Sequence, residues 1–271
     1  MHKLVILMSV YRNDRLEYLK QSFASILQQS YKQFDVFVKY DGPIDLQIDE
    51  YLSSINDERI TLFKRKENCG LATSLNELIE AALHKKQYDY CARMDADDIC
   101  RPDRFMKQID YLESHNEVDI ISSWCEEIDE KNNTLFVKKL PPDDATLKRD
   151  IIKRNPFNHP AVMARLKIFE DGFRYDPEAN LVEDYKLWTT LAVNGYTFAN
   201  IQEPLLKFRV DQDFYRRRAG LRKAVVEFKI KIKAMKTLKD YRLSNFIYLF
   251  AYFIMRISPT YIIRKLYTFL R

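Results

Sequence analysis

The first 120 residues alternate between strand-like and helix-like segments, and this alternation limits the folds open to the chain. Apolar residues recur at helical spacing over 16–29, over 71–82 and after Arg104. Short apolar runs between them predict strands at 4–9, 34–40, 59–63, 88–94 and 118–122. Alternation of this kind predicts an α/β fold with a mostly parallel sheet flanked by helices.

The chain after residue 120 is less regular. It carries strand-like runs at 162–165 and 205–210 and a helix that starts at Glu183 and Asp184, with Leu187 and Trp188 on its apolar face. We expect one domain over residues 1–210, in two halves of 1–120 and 121–210. A polar, mobile loop and a basic amphipathic helical tail are expected over 211–271.

Charge is distributed unevenly between the predicted domain and the tail. The chain carries a net charge of +5, but residues 216–271 carry +13 and residues 1–215 therefore carry −8. A basic tail predicts a polyanionic partner, either a membrane surface or nucleic acid. The apolar run at 246–255 is shorter than the roughly 20 residues that span a bilayer. It favours an interfacial helix on a membrane, or a helix packed on the core with its basic face in solvent.

The cysteines and the N-terminus indicate the compartment. The four cysteines, Cys69, Cys91, Cys100 and Cys125, show no CxxC spacing, which predicts reduced thiols in or near the core. The apolar run at 4–10 is too short for a signal peptide. We expect a cytoplasmic protein bound peripherally to the inner face of the cell membrane.

Three carboxylates follow the predicted strand at 88–94. Asp95, Asp97 and Asp98 repel one another and are costly to desolvate, and a divalent cation removes this penalty. Oxygen ligands of this kind suit Mn²⁺ or Mg²⁺. An acidic turn that caps the next helix is the alternative. Asp41 also follows a strand, so it is expected to face the same crevice at the carboxyl ends of the strands.

Several short motifs along residues 3–210 together resemble one family. They are Ser9–Asn13 after the first strand, Tyr40-Asp41-Gly42, Asn68-Cys69-Gly70-Leu71 with Asn76, the acidic Asp95–Asp98 cluster, Asn158-His159-Pro160, and Glu183–Trp188. In this order the motifs are similar to those of family 2 glycosyltransferases, nucleotide-diphospho-sugar transferases of the GT-A fold. The resemblance implies that 1–120 binds the nucleotide-sugar and 121–210 the acceptor.

The resemblance implies roles in binding the donor. It implies that Asp41 hydrogen-bonds the uracil ring and that Tyr11 stacks on the base. Asp95 would contact ribose or phosphate. Asp97 is the first candidate for the metal ligand, and Asp98 is the second. The remaining candidates are Asn76 for the donor, His159 for metal or substrate, and Arg209, with Arg216–Arg218, for the diphosphate. The alternatives are a turn-forming Asp41, a buried Tyr11, a structural His159 and a solvated basic loop.

The Glu183-Asp184 pair is the second carboxylate centre. The resemblance implies that Asp184 is the base that takes the acceptor proton and that Glu183 orients it or contacts the acceptor. The alternative is that both residues cap a helix. The helix N-terminus lowers the pKa of such a carboxylate, whereas burial beside Trp188 raises it.

The resemblance implies an inverting, metal-dependent transferase that uses a UDP-sugar, UDP-Glc or UDP-Gal. The implied acceptor is a lipid-linked sugar diphosphate, GlcNAc-diphospho-undecaprenol, with β linkage in O-antigen or capsule synthesis. A nucleotidyltransferase is one alternative, although residues 1–30 lack the glycines of a phosphate loop. A non-catalytic membrane- or nucleic-acid-binding module is another. Its acidic body would repel nucleic acid, so we expect no nucleic-acid partner.

Overall fold

The parallel half of the sheet forms as the alternation predicts. The computed structural model describes residues 3–179, 182–210 and 221–258. Four parallel strands run in the order β3-β2-β1-β4. They are β1 (Leu4–Val10), β2 (Phe34–Tyr40), β3 (Ile60–Phe63) and β4 (Tyr90–Met94). The side chains of β1 and β4 are almost all buried, as expected for central strands covered on both faces.

Helices cover both faces of this half. They are α1 (Leu16–Leu27), α2 (Leu46–Ser54), α3 (Leu71–Lys85) and α4 (Arg104–Ser114). Leu7 of β1 packs in the same core cluster as α3, whereas its neighbour Ile6 packs with α1 and α4. Successive strand residues point to opposite faces, so β1 contributes to both cores. Helix α2 was not predicted from the sequence. It is capped by Asp45, and it buries two apolar side chains, Ile48 and Leu52.

The second half extends the sheet with strands of both directions. These strands are β5 (Ile99–Cys100), β6 (Ile120–Ile128), β7 (Thr134–Lys138), β8 (Met163–Arg165) and β9 (Phe198–Arg209). Strand β8 lies antiparallel between β4 and β6, and β9 runs parallel to β6. Strands β5 and β7 add antiparallel pairs. The α/β fold class is confirmed, and the sheet is parallel in its first half and mixed in its second.

Further helices follow in the second half and the C-terminal segment, and one of them begins with the Glu183-Asp184 pair. They are α5 (Asp144–Asp150), α6 (Lys167–Glu170), α7 (Glu183–Val193), α8 (Leu221–Leu238) and α9 (Leu243–Ile257). Helix α7 buries Leu187 and Trp188, as predicted. Helices α8 and α9 form a C-terminal hairpin whose residues Met235 and Leu249 join the same core cluster as α7. No helix of the described residues is long and apolar enough to cross a membrane.

The cysteines are free thiols. Cys91, Cys100 and Cys125 are buried, as expected. Cys69 is exposed, because it lies in the loop before α3 rather than on a strand.

Candidate active site

The acidic cluster lies in the turn between β4 and β5, at the carboxyl end of a central strand. One ligand atom each from Asp95, Asp97 and Asp98 can be chosen so that all three lie within 4.8 Å of one another. The structure therefore brings the three predicted carboxylates together. In the described part of the chain, this group of acidic, histidine and cysteine side chains is the one with the spacing of a metal site.

Asp98 is the most buried member of the cluster, with no exposed surface. Its Oδ1 accepts the backbone N–H of Arg209 at 2.8 Å, whereas its buried Oδ2 has no hydrogen-bond partner among the described residues. Burial, together with the charges of Asp97 and Asp95, raises the pKa of Asp98 well above its usual range. A buried oxygen without a partner beside two further carboxylates fits a divalent cation.

Arg209 holds the acidic turn in place. Its side chain is 3% exposed. The guanidinium donates to the carbonyl oxygens of Asp97 and Asp129, each at 3.0 Å, and to Gln21 Oε1 at 3.0 Å. It also lies over the Tyr18 ring, 4.0 Å from the centroid. Contact between Arg209 and a diphosphate stays a prediction. It requires the guanidinium to give up some of these hydrogen bonds in exchange for bonds to phosphate oxygens. The predicted mobile loop with the other diphosphate candidates, Arg216–Arg218, lies outside the described residues.

Arg93 is a buried cation beneath the cluster that the sequence interpretation missed. It is 5% exposed and forms an ion pair with Asp95. Its Nε and Nη1 are buried without a hydrogen-bond partner in the described part of the chain. Its charge also acts on Asp98, and it helps to lower the pKa of His159. Arg93 therefore offsets part of the negative charge that the three carboxylates accumulate.

Asp14 is a fourth carboxylate near the cluster, and it was also missed. Its Oδ2 accepts the backbone N–H of Tyr11 at 2.8 Å. Burial raises the pKa of Asp14 to about 8, and the carboxylates of Asp97 and Asp95 add to the shift. The loop after β1, which contains Tyr11 and Asp14, therefore lies near the acidic turn. Stacking of the half-buried Tyr11 on a base stays a prediction.

The Asp41 carboxylate caps helix α3. It accepts the backbone N–H groups of Cys69 at 2.8 Å and Gly70 at 3.0 Å, and it forms an ion pair with Arg65. Gly70 is the N-cap of α3 and has no side chain to do this, so Asp41 supplies the negative charge. Asp41 also borders a cleft of about 570 Å³, whose other lining residues include Arg12, Pro43, Lys66 and Asn68. Contact between Asp41 and uracil stays a prediction.

His159 and Asn76 meet at Tyr175 instead of at the carboxylates. His159 Nε2 lies 3.1 Å from the Tyr175 hydroxyl, and burial with the charge of Arg93 lowers the pKa of His159 well below its usual value. Asn76 donates to the Tyr175 carbonyl at 2.8 Å and accepts its N–H at 3.0 Å. The structure does not bring His159 into the three-carboxylate group, because its ring packs on Tyr175 and Trp188. Its prediction as a metal ligand is left without structural support.

The Glu183-Asp184 pair forms the first turn of α7. Asp184 Oδ2 accepts a hydrogen bond from Asn155 Nδ2 at 2.7 Å, and Asp184 remains partly exposed while Glu183 is 7% exposed. Asn155 lies in the proline-containing loop that precedes His159. The carboxylate of Asp184 is therefore oriented by a neutral donor, the side-chain amide of Asn155.

Tyr175 lies near charged groups of both carboxylate centres. Burial raises the pKa of its hydroxyl well above the usual value, the charge of Arg93 opposes the shift, and Asp184 and Glu183 add to it. Tyr175 thus lies within electrostatic reach of the cation under the acidic cluster and of the first turn of α7. The predicted metal ligands and the predicted base border one region of the fold.

The model of glycosyl transferase family 2 matches residues 5–173. The chain belongs to glycosyltransferase family 2. Membership makes it an enzyme, and this excludes the nucleotidyltransferase and the non-catalytic module as alternatives.

Family 2 relatives include enzymes of bacterial polysaccharide synthesis. The chain is 32% identical over 233 residues, 84% of this chain and 81% of the relative, to the UDP-Gal:alpha-D-GlcNAc-diphosphoundecaprenol beta-1,3-galactosyltransferase of Escherichia coli. It is 30% identical over 236 residues, 86% of each chain, to the amylovoran biosynthesis glycosyltransferase AmsE of Erwinia amylovora.

The fold of the family 2 chain is also that of solved glycosyltransferases. The mannosyltransferase PcManGT from Pyrobaculum calidifontis, solved in complex with GDP-Man and Mn²⁺, aligns with a TM-score of 0.66 at 15% identity. The alignment covers 91% of this chain and 72% of that one. At this identity the likeness concerns the GT-A fold alone.

Proposed function

We propose that this chain is an inverting, metal-dependent hexosyltransferase of surface polysaccharide synthesis. It moves glucose or galactose from a UDP-sugar onto a lipid-diphosphate-linked sugar, GlcNAc-diphospho-undecaprenol, in β linkage. The observation that carries the proposal is the buried Asp98 oxygen in a three-carboxylate cluster, which has no hydrogen-bond partner among the described residues. The carboxylate of Asp184, which accepts a hydrogen bond from Asn155, supplies the proposed base. The Escherichia coli relative supports this choice of donor and acceptor.

The acidic cluster forms the donor side of the proposed site. Asp97 and Asp98 would hold Mn²⁺ or Mg²⁺, which when bound neutralises the diphosphate leaving group. Arg209 anchors the turn that carries them, because it donates hydrogen bonds to the Asp98 carboxylate and to the backbone carbonyl of Asp97. Asp95, held by Arg93, is available to ribose or phosphate. The cleft beside Asp41 is the proposed site of the nucleoside.

Asp184 forms the acceptor side of the proposed site. Inversion needs one base, because the acceptor hydroxyl attacks the anomeric carbon directly and loses its proton as it does so. The bond from Asn155 fixes one carboxylate oxygen of Asp184, and the other takes the proton. Glu183 precedes it in the same helical turn and contacts the acceptor in this proposal.

A donor screen tests the proposed function. UDP is expected to raise the melting temperature with Mn²⁺ present and to have little effect without it. Transfer from UDP-Glc, UDP-Gal, UDP-GlcNAc and UDP-GalNAc to a synthetic GlcNAc-diphospho-lipid would then be measured, and the product linkage read by NMR. Stabilisation by GDP but not UDP, or an α-linked product, would contradict the proposal.

The C-terminal hairpin presents an apolar face that suits a membrane surface. Along α9, Leu243, Ile247, Phe250 and Ile254 follow helical spacing on one face, and each is more than half exposed. The sequence from residue 216 onward is strongly basic, which favours an anionic bilayer. We propose that this face rests on the cell membrane, where a lipid-linked acceptor resides.

Phe250→Ser with Ile254→Ser is expected to weaken binding to phosphatidylglycerol vesicles at least about tenfold, because each buried apolar side chain contributes about 1.5–3 kcal/mol. Leu46→Ser with Leu135→Ser removes two similarly exposed side chains elsewhere and serves as the control. Co-sedimentation measures both. Equal loss in the two double variants, or equal binding to neutral phosphatidylcholine vesicles, would argue against this surface.

A further inference from the structure

The inner face of the C-terminal hairpin carries a buried cation. Lys231 of α8 is 2% exposed. Its ammonium lies 4.4 Å from the ring centroid of Tyr185, 5.0 Å from that of Tyr252 and 5.6 Å from that of Tyr248. Tyr185 belongs to α7, and the other two rings belong to α9. Aromatic faces attract a cation, so this cage holds the ammonium where three helices meet.

Lys231 donates hydrogen bonds to two segments that flank the proposed base, Asp184. Its Nζ donates to the carbonyl of Ile152 at 2.7 Å and to the Tyr185 hydroxyl at 3.3 Å, and that hydroxyl donates to the carbonyl of Ile151 at 2.8 Å. Tyr185 follows Asp184 directly, and Asn155, which bonds Asp184, lies three residues after Ile152. Lys231 therefore ties together the two segments whose contact orients the base.

A second pair fixes the hairpin itself. Glu227 and Arg256 form a buried ion pair at 2.9 Å between α8 and α9, and the Tyr252 hydroxyl donates to Glu227 at 2.7 Å. This pair holds Tyr252 in the cage without involving α7. An apolar residue at 231 would fill the same space, and buried charges are often replaced by apolar groups without loss of stability. An apolar residue, however, cannot donate the two hydrogen bonds that Lys231 makes to the Ile152 carbonyl and the Tyr185 hydroxyl.

We propose that Lys231 is a positioning residue, which holds the 151–155 turn against the first turn of α7 and so keeps Asp184 in the orientation set by Asn155. The proposal rests on the proposed function in so far as Asp184 is the base. In this proposal the C-terminal hairpin contributes to catalysis, because Lys231 of α8 donates the hydrogen bonds that hold the two segments around Asp184.

Lys231→Met tests the proposal, with Lys233→Met, an exposed lysine of the same helix, as the control. With a water-soluble acceptor, Lys231→Met is expected to lower kcat about tenfold to a hundredfold through misplacement of the base. The KM for the UDP-sugar and the Mn²⁺-dependent stabilisation by UDP should change less than twofold. Tyr185→Phe keeps the ring but removes the hydroxyl, and it should lower kcat in the same direction.

Hydrogen–deuterium exchange separates this proposal from the proposed function. Lys231→Met should speed exchange of the amides at 151–155 and 183–187, while the amides of β1 and β2 exchange at the wild-type rate. In Lys233→Met, all of these amides should exchange at the wild-type rate. Unchanged exchange in those two segments, or faster exchange with an unchanged kcat, would overturn the positioning role. If the wild-type enzyme transfers no sugar to any acceptor, the proposed function fails and the exchange result alone decides the positioning role.

Discussion

Asp184→Asn is expected to lower kcat by about 10³-fold, because an amide cannot take the proton of the acceptor hydroxyl. The side-chain oxygen of Asn at this position can still accept the hydrogen bond from Asn155, so the first turn of α7 should keep its geometry. In the proposed site, the donor is bound by the acidic cluster, which the substitution leaves intact. Calorimetry with UDP and Mn²⁺ should therefore give a dissociation constant within about twofold of the wild-type value.

Two comparison variants sharpen this result. Asp110→Asn changes an exposed carboxylate on α4 and should leave kcat and donor binding unchanged. Glu183→Gln should raise the KM for the acceptor more than it lowers kcat, since we place Glu183 in acceptor contact. If Asp184→Asn turns over within tenfold of wild type, the base is another group. If Glu183→Gln shows the larger loss of kcat, the two roles are reversed.

The parallel half of the fold was readable because its signals are local. The runs that form β1, β2 and β4 are short and mostly apolar, and Leu75, Leu78 and Ile79 define the face of α3. Helix α2 was missed because just two of its side chains face the core, which is too few for a periodic signal. The direction of β8 was also unreadable, because three residues between loops carry no information about strand orientation.

The site was predicted where neighbours in sequence are neighbours in space. Asp95, Asp97 and Asp98 share one turn, so their cluster followed from the sequence. Arg93 had a signal that was not used, since a charged residue in the middle of a buried strand demands a partner. Asn155 lies 29 residues from Asp184, and no pattern in the sequence indicates that contact.

Asp41 illustrates a different limit. A carboxylate after a strand was read as a group facing the ligand, whereas its oxygens hold the N-terminus of α3 and Arg65. The two roles are compatible, because the capped loop borders the cleft. Sequence gives the place of such a side chain but not how its hydrogen bonds are divided between protein and ligand.

Asp98→Asn is expected to weaken Mn²⁺ binding in the presence of UDP at least about a hundredfold, since it removes a charged oxygen ligand. The same change should leave the metal-free protein as stable as the wild type or more so. The buried Asp98 carboxyl is favoured in its protonated, neutral form, and Asn resembles that form without the repulsion from Asp95 and Asp97. Thermal melting with EDTA and titration of Mn²⁺ followed by electron paramagnetic resonance measure the two effects.

The dependence on pH follows from the same carboxyls. The pKa values of Asp14 and Asp98 are higher in the folded than in the unfolded state. Such a group stabilises the fold fully at a pH below its unfolded pKa, near 3.8. This contribution is lost as the pH rises through the folded pKa, which for Asp14 is about 8. These two carboxyls should therefore contribute less stability to the metal-free protein as the pH rises from about 4 to about 8, and Asp98→Asn should lose less of this contribution than wild type. Mn²⁺ competes with these protons, so its affinity should rise with pH over the same interval. If the Mn²⁺ affinity is independent of pH, or depends on pH in the same way for Asp98→Asn and wild type, the proton on Asp98 does not compete with the ion, and this would favour Asp97 as the main ligand.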